Sequence, residues 1–152
     1  MHRHLSPEIY RWKIHDTHTG GVPDAYYCGP GDSLWIEYKY IKLPKRASTL
    51  VQLNLSELQK IWLTRAYEWR QSVAIVVGYE KKLATVITNP NLIGKITKTT
   101  LQEEAISFKA VAAWIENTVS SCQGIEQCYD KQAPSFSCKK FKNYMAKKAT
   151  AI

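Results

Sequence analysis

The sequence has no long apolar stretch. Its apolar runs are short, such as the one from Val73 to Val77, which Gly78 ends. A helix that spans a bilayer needs about 20 apolar residues, so we expect no membrane span. No apolar stretch follows the first residues either, and we therefore expect no secretory signal.

Cysteines are few and do not form a metal-binding motif. The four are Cys28, Cys122, Cys128 and Cys138. The last three are separated by five and nine residues, a spacing that matches no C-x-x-C zinc pattern. Without a secretory signal, reduced thiols are the favoured interpretation, and one disulfide or a metal site are the alternatives.

Acidic residues are outnumbered. The chain has 21 Lys and Arg against 13 Asp and Glu, which gives a net charge of +8. Its length of 152 residues suits a single domain. This excess favours a polyanionic partner, either nucleic acid or an anionic membrane surface. Because no basic helix with a large apolar face is evident, we expect nucleic acid and no membrane.

The hydrophobic pattern predicts an α/β domain, with a small mixed central sheet flanked by helices. Predicted strands cover 10–14, 25–28, 34–41, 72–77 and 82–88. One helix is predicted from Ser56 to Arg70, and a last helix runs from Thr100 to about Val119. The first helix has one apolar face at helical spacing, formed by Leu55, Leu58, Trp62, Ala66 and Trp69.

The first predicted hairpin brings two acids together. If residues 29–32 form its turn, Cys28 faces Ser33 and Asp24 lies directly opposite Glu37. Two carboxylates that face each other across a sheet repel, and the apolar flanks screen them poorly. A divalent cation offsets such repulsion, because hard cations prefer carboxylate oxygens.

Lys39 points to the same sheet face as Glu37, since side chains alternate along a strand. The backbone carbonyl of Tyr38, between them, offers a third oxygen ligand. Two acids, a lysine and a cation are the equipment for metal-assisted hydrolysis of a phosphodiester. The alternative from spacing alone is a solvated, charged strand face.

Two other groups of residues have open interpretations. Ser56 and Gln59 have the spacing of a capping box, which would use the Gln59 side chain at a helix start. After the third strand, Lys42, Lys45 and Arg46 either grip phosphates or lie on a solvated loop.

The segment Gly21-Val22-Pro23-Asp24, followed after twelve residues by Glu37-Tyr38-Lys39, resembles the signature of the PD-(D/E)XK nuclease superfamily. The stretch from Leu55 to Leu63 resembles the "LSxxQ" helix of its VRR-NUC-like branch and of small phage nucleases. The resemblance covers about residues 10 to 88. It implies a restriction-endonuclease-like core and a DNA endonuclease that uses Mg²⁺ or Mn²⁺.

The resemblance also implies roles for particular residues. Asp24 and Glu37 would be metal ligands, Lys39 would position or activate the attacking water, and Gln59 would support the site. Some members add an acid from an N-terminal helix, for which Glu8 is the candidate here. Small stand-alone members often act as dimers on branched DNA, which suggests a homodimer, Holliday junction cleavage and a phage or bacterial protein in the cytoplasm. Nicking of duplex or flap DNA is the close variant.

We expect the nuclease domain over residues 1–120 and a Cys-containing, Lys-rich extension over 121–152. His15 and His18, in the loop before the motif, either contact phosphate or metal or are solvated. The rival functions are a non-catalytic nucleic-acid-binding module or an interaction protein on the same fold.

Overall fold

A six-stranded sheet forms the middle of the structure, and its strands lie side by side in their order along the chain. The computed structural model describes residues 4–15 and 20–121. The strands are β1 (Tyr10–Lys13), β2 (Ala25–Cys28), β3 (Ser33–Tyr40), β4 (Val73–Tyr79), β5 (Leu83–Ile87) and β6 (Ile106–Ser107). The helices are α1 (Glu57–Glu68), α2 (Lys98–Glu103) and α3 (Phe108–Ser120), with short 3-10 turns at Glu80–Lys82 and Pro90–Leu92.

The sheet is mixed. β3 and β4 pair in parallel, while every other neighbouring pair is antiparallel. Parallel neighbours need a long crossover connection, and residues 41–72, which include α1, supply it. Every residue of β4 is buried, as its β-branched sequence predicts for a strand covered on both faces. The predicted α/β fold with a small mixed sheet flanked by helices is confirmed.

Each face of the sheet is covered by its own apolar cluster. On one face, α3 packs against inward residues of β2 to β5, and Leu5 and Ile9 join this cluster. On the other face, α1, α2 and the segment 41–55 cover β4 and β5, and Trp35 of β3 packs against this second cluster. The second cluster contains no residue of β1 or β2, so the α1 layer covers only part of its face of the sheet.

The prediction of one long last helix is wrong. Thr97, not Thr100, caps α2, and the chain leaves the helix after Glu103. Ile106 then pairs with Ala84 of β5, and the Ser107 side chain accepts from the backbone of Ala110 to begin α3. Sheet pairing and a second N-cap therefore interrupt a stretch whose local pattern is helical throughout.

The predicted apolar face of α1 is buried only in part. Leu63 and Ala66 are its buried residues, whereas Leu58 and Trp69 are exposed. The helix thus packs on β4 through a side rotated from the predicted one and presents large apolar groups outward.

Within the described residues, no helix is both long and apolar enough to cross a bilayer. Cys28 is half-buried at the end of β2, where its thiol donates to the Gly29 carbonyl. Cys122, Cys128, Cys138, His18 and the predicted extension beyond Ser121 lie outside the described residues.

Candidate active site

The hairpin of β2 and β3 has the register expected from the sequence. Cys28 pairs with Ser33 and Ala25 pairs with Ile36, so continuing the ladder by one residue sets Asp24 opposite Glu37. The turn is held by a bond from the Gly29 amide to the Asp32 carbonyl. The two acids therefore meet where β2 begins.

Asp24 is fixed through both its side chain and its backbone. Its Oδ2 accepts a hydrogen bond from the Tyr38 amide at 2.8 Å, and its carbonyl accepts from the Ile14 amide at 2.8 Å. The N–H and C=O of one residue point to the same side of an extended strand. The Tyr38 carbonyl therefore points towards the Asp24 side of β3.

Glu37 is a buried carboxylate in the middle of the sheet. Its relative exposure is 1%, and its Oε2 is buried without a hydrogen-bond partner among the described residues. Burial raises the pKa of this carboxyl above its usual value, the hydrogen bond from Lys39 opposes that rise, and the charge of Asp24 adds to it. An orphaned oxygen on a buried carboxylate is costly, and a cation bound to it would offset that cost.

Lys39 lies beside Glu37, as strand alternation predicts. Its Nζ is 2.9 Å from Glu37 Oε1 and donates to Gln59 Oε1 at 3.2 Å. An ammonium has three N–H donors, so the third remains for water or a phosphate oxygen. The Lys39 side chain is 20% exposed, and solvent can reach it.

Gln59 serves the helix and the acid cluster at the same time. Its side-chain Oε1 accepts from the Ser56 backbone amide at 3.0 Å, and its backbone N–H donates to Ser56 Oγ at 3.2 Å. These two bonds complete the capping box. Its Nε2 donates to Glu37 Oε1 at 2.6 Å. The two sequence interpretations of Gln59 are therefore compatible, because its side-chain amide accepts from the Ser56 backbone through Oε1 and donates to Glu37 through Nε2.

Gly21, which begins the Gly-Val-Pro-Asp segment, joins the Asp24 loop to α1 through a close contact. Gly21 has φ +86°, and a Cβ there would lie 2.8 Å from the backbone of Leu58, one residue before Gln59. Only glycine permits this backbone conformation and this approach without strain. The consecutive glycines 20 and 21 were the available signal, but their partner is visible only in three dimensions.

Other candidates lie apart from this cluster. Glu8 precedes β1 beside Ile9, which packs in the α3 layer, and β1 begins opposite Cys28 at the far end of β2. Glu8 is thus not placed with Asp24 and Glu37. His15 follows β1 and lines a cleft with Trp12 and Val22.

The three basic loop residues all have exposed side chains. Lys42, Lys45 and Arg46 follow β3 on the segment that leaves the sheet after Lys39. The Lys45 carbonyl accepts a hydrogen bond from Lys98 Nζ at 3.3 Å, which ties this segment to α2.

The donor set fits a hard divalent cation better than zinc. In the described part of the chain, no group of three or more His, Cys, Asp or Glu side chains is arranged to hold a metal ion. Mg²⁺ commonly uses one or two carboxylates and completes its shell with water and substrate phosphate. Asp24, the orphaned oxygen of Glu37 and the nearby Tyr38 carbonyl satisfy that requirement.

Comparison with known proteins gives a structural likeness only. No family model and no curated protein matches the chain. Among solved structures, the chain is similar to Hjc, a Holliday junction resolvase from the archaeal hyperthermophile Archaeoglobus fulgidus. The TM-score is 0.48 and the identity 11%, over 71% of this chain and 88% of that one. At this identity the likeness concerns the fold, and the chemistry is inferred from the side chains of the site.

Proposed function

We propose that this protein is a divalent-metal-dependent endonuclease of the PD-(D/E)XK superfamily that hydrolyses phosphodiester bonds in DNA. One observation carries the proposal: the orphaned, buried oxygen of Glu37 lies in a cluster with Asp24, Lys39 and Gln59. A buried acid beside a second acid is unfavourable without compensation. Lys39 neutralises one charge, and a divalent cation supplies what is still missing.

The residues of the site have distinct roles. Asp24, Glu37 and the Tyr38 carbonyl would hold Mg²⁺ or Mn²⁺. The bound cation would polarise the phosphate and lower the pKa of a water molecule. Gln59 holds Glu37 and Lys39 in position through its hydrogen bonds.

Lys39 directs its third N–H at the attacking water or at a phosphate oxygen, where it stabilises the charge that develops in the transition state. In one step, the water oxygen forms a bond to phosphorus while the bond from phosphorus to the leaving sugar oxygen breaks. The attacking water loses one proton to the bulk solvent and the leaving oxygen takes one from it, so the protons balance, and no bond to the protein forms at any stage.

The basic character of the chain suits this substrate. The net charge is +8, and positive charge gives sequence-independent affinity for the phosphate backbone. Lys42, Lys45 and Arg46 follow the catalytic strand and would contact phosphates beside the site. We assign the nuclease domain to residues 1–120, with the extension 121–152 appended to it.

The test is a cleavage assay on labelled single-stranded, duplex, flap and four-way-junction DNA, with Mg²⁺, Mn²⁺ or EDTA. We expect metal-dependent cutting that Lys39→Ala lowers by at least about 100-fold, the loss typical of a deleted transition-state donor. Lys60→Ala is the matched control, because Lys60 lies on the exposed side of α1 and pairs with Glu57 at 3.1 Å.

Each outcome decides between the candidate functions. Cutting that survives in Lys39→Ala, or is lost equally in Lys60→Ala, would contradict the proposed site. If the protein binds the DNA substrates but cuts none of them, a non-catalytic nucleic-acid-binding module is favoured instead. The DNA that is cut fastest shows whether branched DNA, such as a Holliday junction, is the substrate.

A further inference from the structure

A row of aromatic side chains runs beside the candidate active site on the same face of the sheet. This aromatic row consists of Trp12, Tyr26, Trp35 and Trp62. Trp12 pairs with Tyr26, and Tyr26 pairs with Trp35. The rings of Tyr26 and Trp35 are 4.7 Å apart between centroids, and those of Trp35 and Trp62 are 5.1 Å apart.

The aromatic row is parallel to the row that holds the two acids. Tyr26 is two residues from Asp24, Trp35 is two residues from Glu37, and both pairs share one sheet face. Two residues along a strand span roughly 6.6–6.8 Å. A phosphate held at the acids therefore leaves the base of an adjacent nucleotide within reach of the aromatic rings.

The Trp12 end of the aromatic row is open to a ligand. Trp12 is 46% exposed, and the apolar cluster under α1 contains no residue of β1 or β2. A cleft of about 450 Å³ lies at this end, between Trp12 and Trp35, with Ile14 and Val22 on its walls. Its walls thus include Ile14, the residue after β1, whose backbone N–H donates to the Asp24 carbonyl.

Positive side chains border the aromatic row at both ends. Lys13 lines the cleft beside Trp12, and Arg65 lines a groove with Trp62 and Trp69 at the other end. Within residues 4–15 and 20–121, neither Lys13 nor Arg65 forms an ion pair. Aromatic rings flanked by cations are the equipment for binding a nucleic acid strand, in which bases stack and phosphates pair.

We propose that the aromatic row stacks unpaired bases next to the scissile phosphate, so that the substrate is DNA with an unpaired nucleotide beside the cut. This inference rests on the proposed function. A base inside a duplex has both faces covered by its neighbours, and only an unstacked base offers a face to Trp12. A second copy of the chain fits this surface poorly, because it would bring the same cations into contact.

The test measures binding in EDTA, where no metal-dependent cutting occurs. Fluorescence anisotropy measures the affinity of the full-length protein for two labelled DNAs, a single-stranded oligodeoxythymidylate and a blunt duplex of equal length. We expect Trp12→Ala to weaken single-strand binding about tenfold or more, as loss of one base stack does, and to leave duplex binding nearly unchanged. Trp12→Phe should restore most of the affinity.

Tyr67→Ala is the matched control. Tyr67 is 40% exposed, close to the value for Trp12, and it lines a different groove, with Arg70 and Trp114. We expect this variant to bind both DNAs like the wild type. Thermal unfolding checks that neither substitution disturbs the fold, and we expect each variant to keep the melting temperature of the wild type.

The failures of the two proposals are distinguishable. If the wild type cuts DNA with metal but Trp12→Ala binds the single strand as the wild type does, the stacking role is wrong and the nuclease stands. If Trp12→Ala loses single-strand binding, but the wild type cuts no DNA with either metal, the stacking surface is supported and the nuclease proposal is wrong. If sedimentation shows that Trp12→Ala converts a dimer to a monomer without a change in DNA affinity, the aromatic row is a contact between copies, and the inference is overturned.

Discussion

Gln59 donates a hydrogen bond from Nε2 to Oε1 of Glu37 at 2.6 Å, and it thereby ties the first turn of α1 to the buried acid of β3. The same side chain accepts from the Ser56 amide and from Lys39 Nζ. Formation of the helix start and positioning of Lys39 therefore depend on one amide group.

Gln59→Ala and Ser56→Ala separate these two tasks. Loss of a capping side chain costs about 1 kcal/mol of stability, so both variants should unfold at lower urea concentration. Only Gln59→Ala also releases Glu37 and Lys39, and we expect it to lower metal-dependent cleavage by at least about tenfold. Equal cleavage rates for the two variants, measured where both are folded, would contradict a positioning role for Gln59.

Glu37 should make stability depend on pH in the absence of metal. Burial raises its folded-state pKa above 4.5, so the folded state keeps its proton over a range in which the unfolded state has lost it. The free energy of unfolding should then fall as pH rises from about 4.5 to the raised pKa, and stay level above it. Urea denaturation in EDTA measures this, with Glu37→Gln as the reference that cannot ionise.

The difference between the wild type and Glu37→Gln is the informative quantity, since groups remote from Glu37 titrate equally in both. We expect the free energy of unfolding of the wild type to fall relative to that of Glu37→Gln as pH rises from about 4.5 to the raised pKa of Glu37. Parallel pH profiles for the two proteins would show that the Glu37 carboxyl is not perturbed by folding.

Metal should stabilise the wild type through Asp24. A ligand that binds only the folded state raises the melting temperature, and at 100 times its Kd it contributes about 2.7 kcal/mol. A thermal-shift series with Mn²⁺ should show this rise, and Asp24→Asn should remove it. Asp32→Asn is the control, because Asp32 belongs to the same hairpin but bonds to the Ser33 amide and the Ser72 hydroxyl.

An equal thermal shift in the wild type and Asp24→Asn would mean that Mn²⁺ binds elsewhere. No shift in the wild type would favour an interaction protein, in which the charge pair has no metal to hold.

The acid pair was predictable because a short turn fixes register. Once residues 29–32 close the hairpin, strand alternation alone sets Asp24 opposite Glu37 and Lys39 on the same face. Gln59 was recognisable by its spacing from Ser56, but spacing did not reveal that one amide both caps the helix and contacts Glu37.

Features set by distant contacts were not predictable. The local pattern after Thr100 is helical, and pairing of Ile106 with Ala84 is what divides it. The aromatic row has the same cause. The position of Trp12 opposite Tyr26 depends on the register in which β1 pairs with β2, and no sequence spacing fixes that register.

Two glycines with similar backbone angles offer a final test of how the loop of Asp24 is held. Gly21 has φ +86°, and an added Cβ would lie 2.8 Å from Leu58, whereas Gly94 has φ +78° and an added Cβ would have nothing within 4 Å. Gly94→Ala should therefore cost only the left-handed strain of about 1–2 kcal/mol. Gly21→Ala adds a collision with the helix backbone, for which overpacking costs a further ~1–3 kcal/mol.

The Gly21 variant should also reduce activity, because relief of that collision moves the Asp24 loop away from α1 and hence from Gln59. We expect slower metal-dependent cleavage for Gly21→Ala at temperatures where it is fully folded, and an unchanged rate for Gly94→Ala. Urea denaturation and cleavage measured on both proteins check the two parts separately. If both variants lose the same stability and neither loses activity, the contact between Gly21 and Leu58 does not set the geometry of the site.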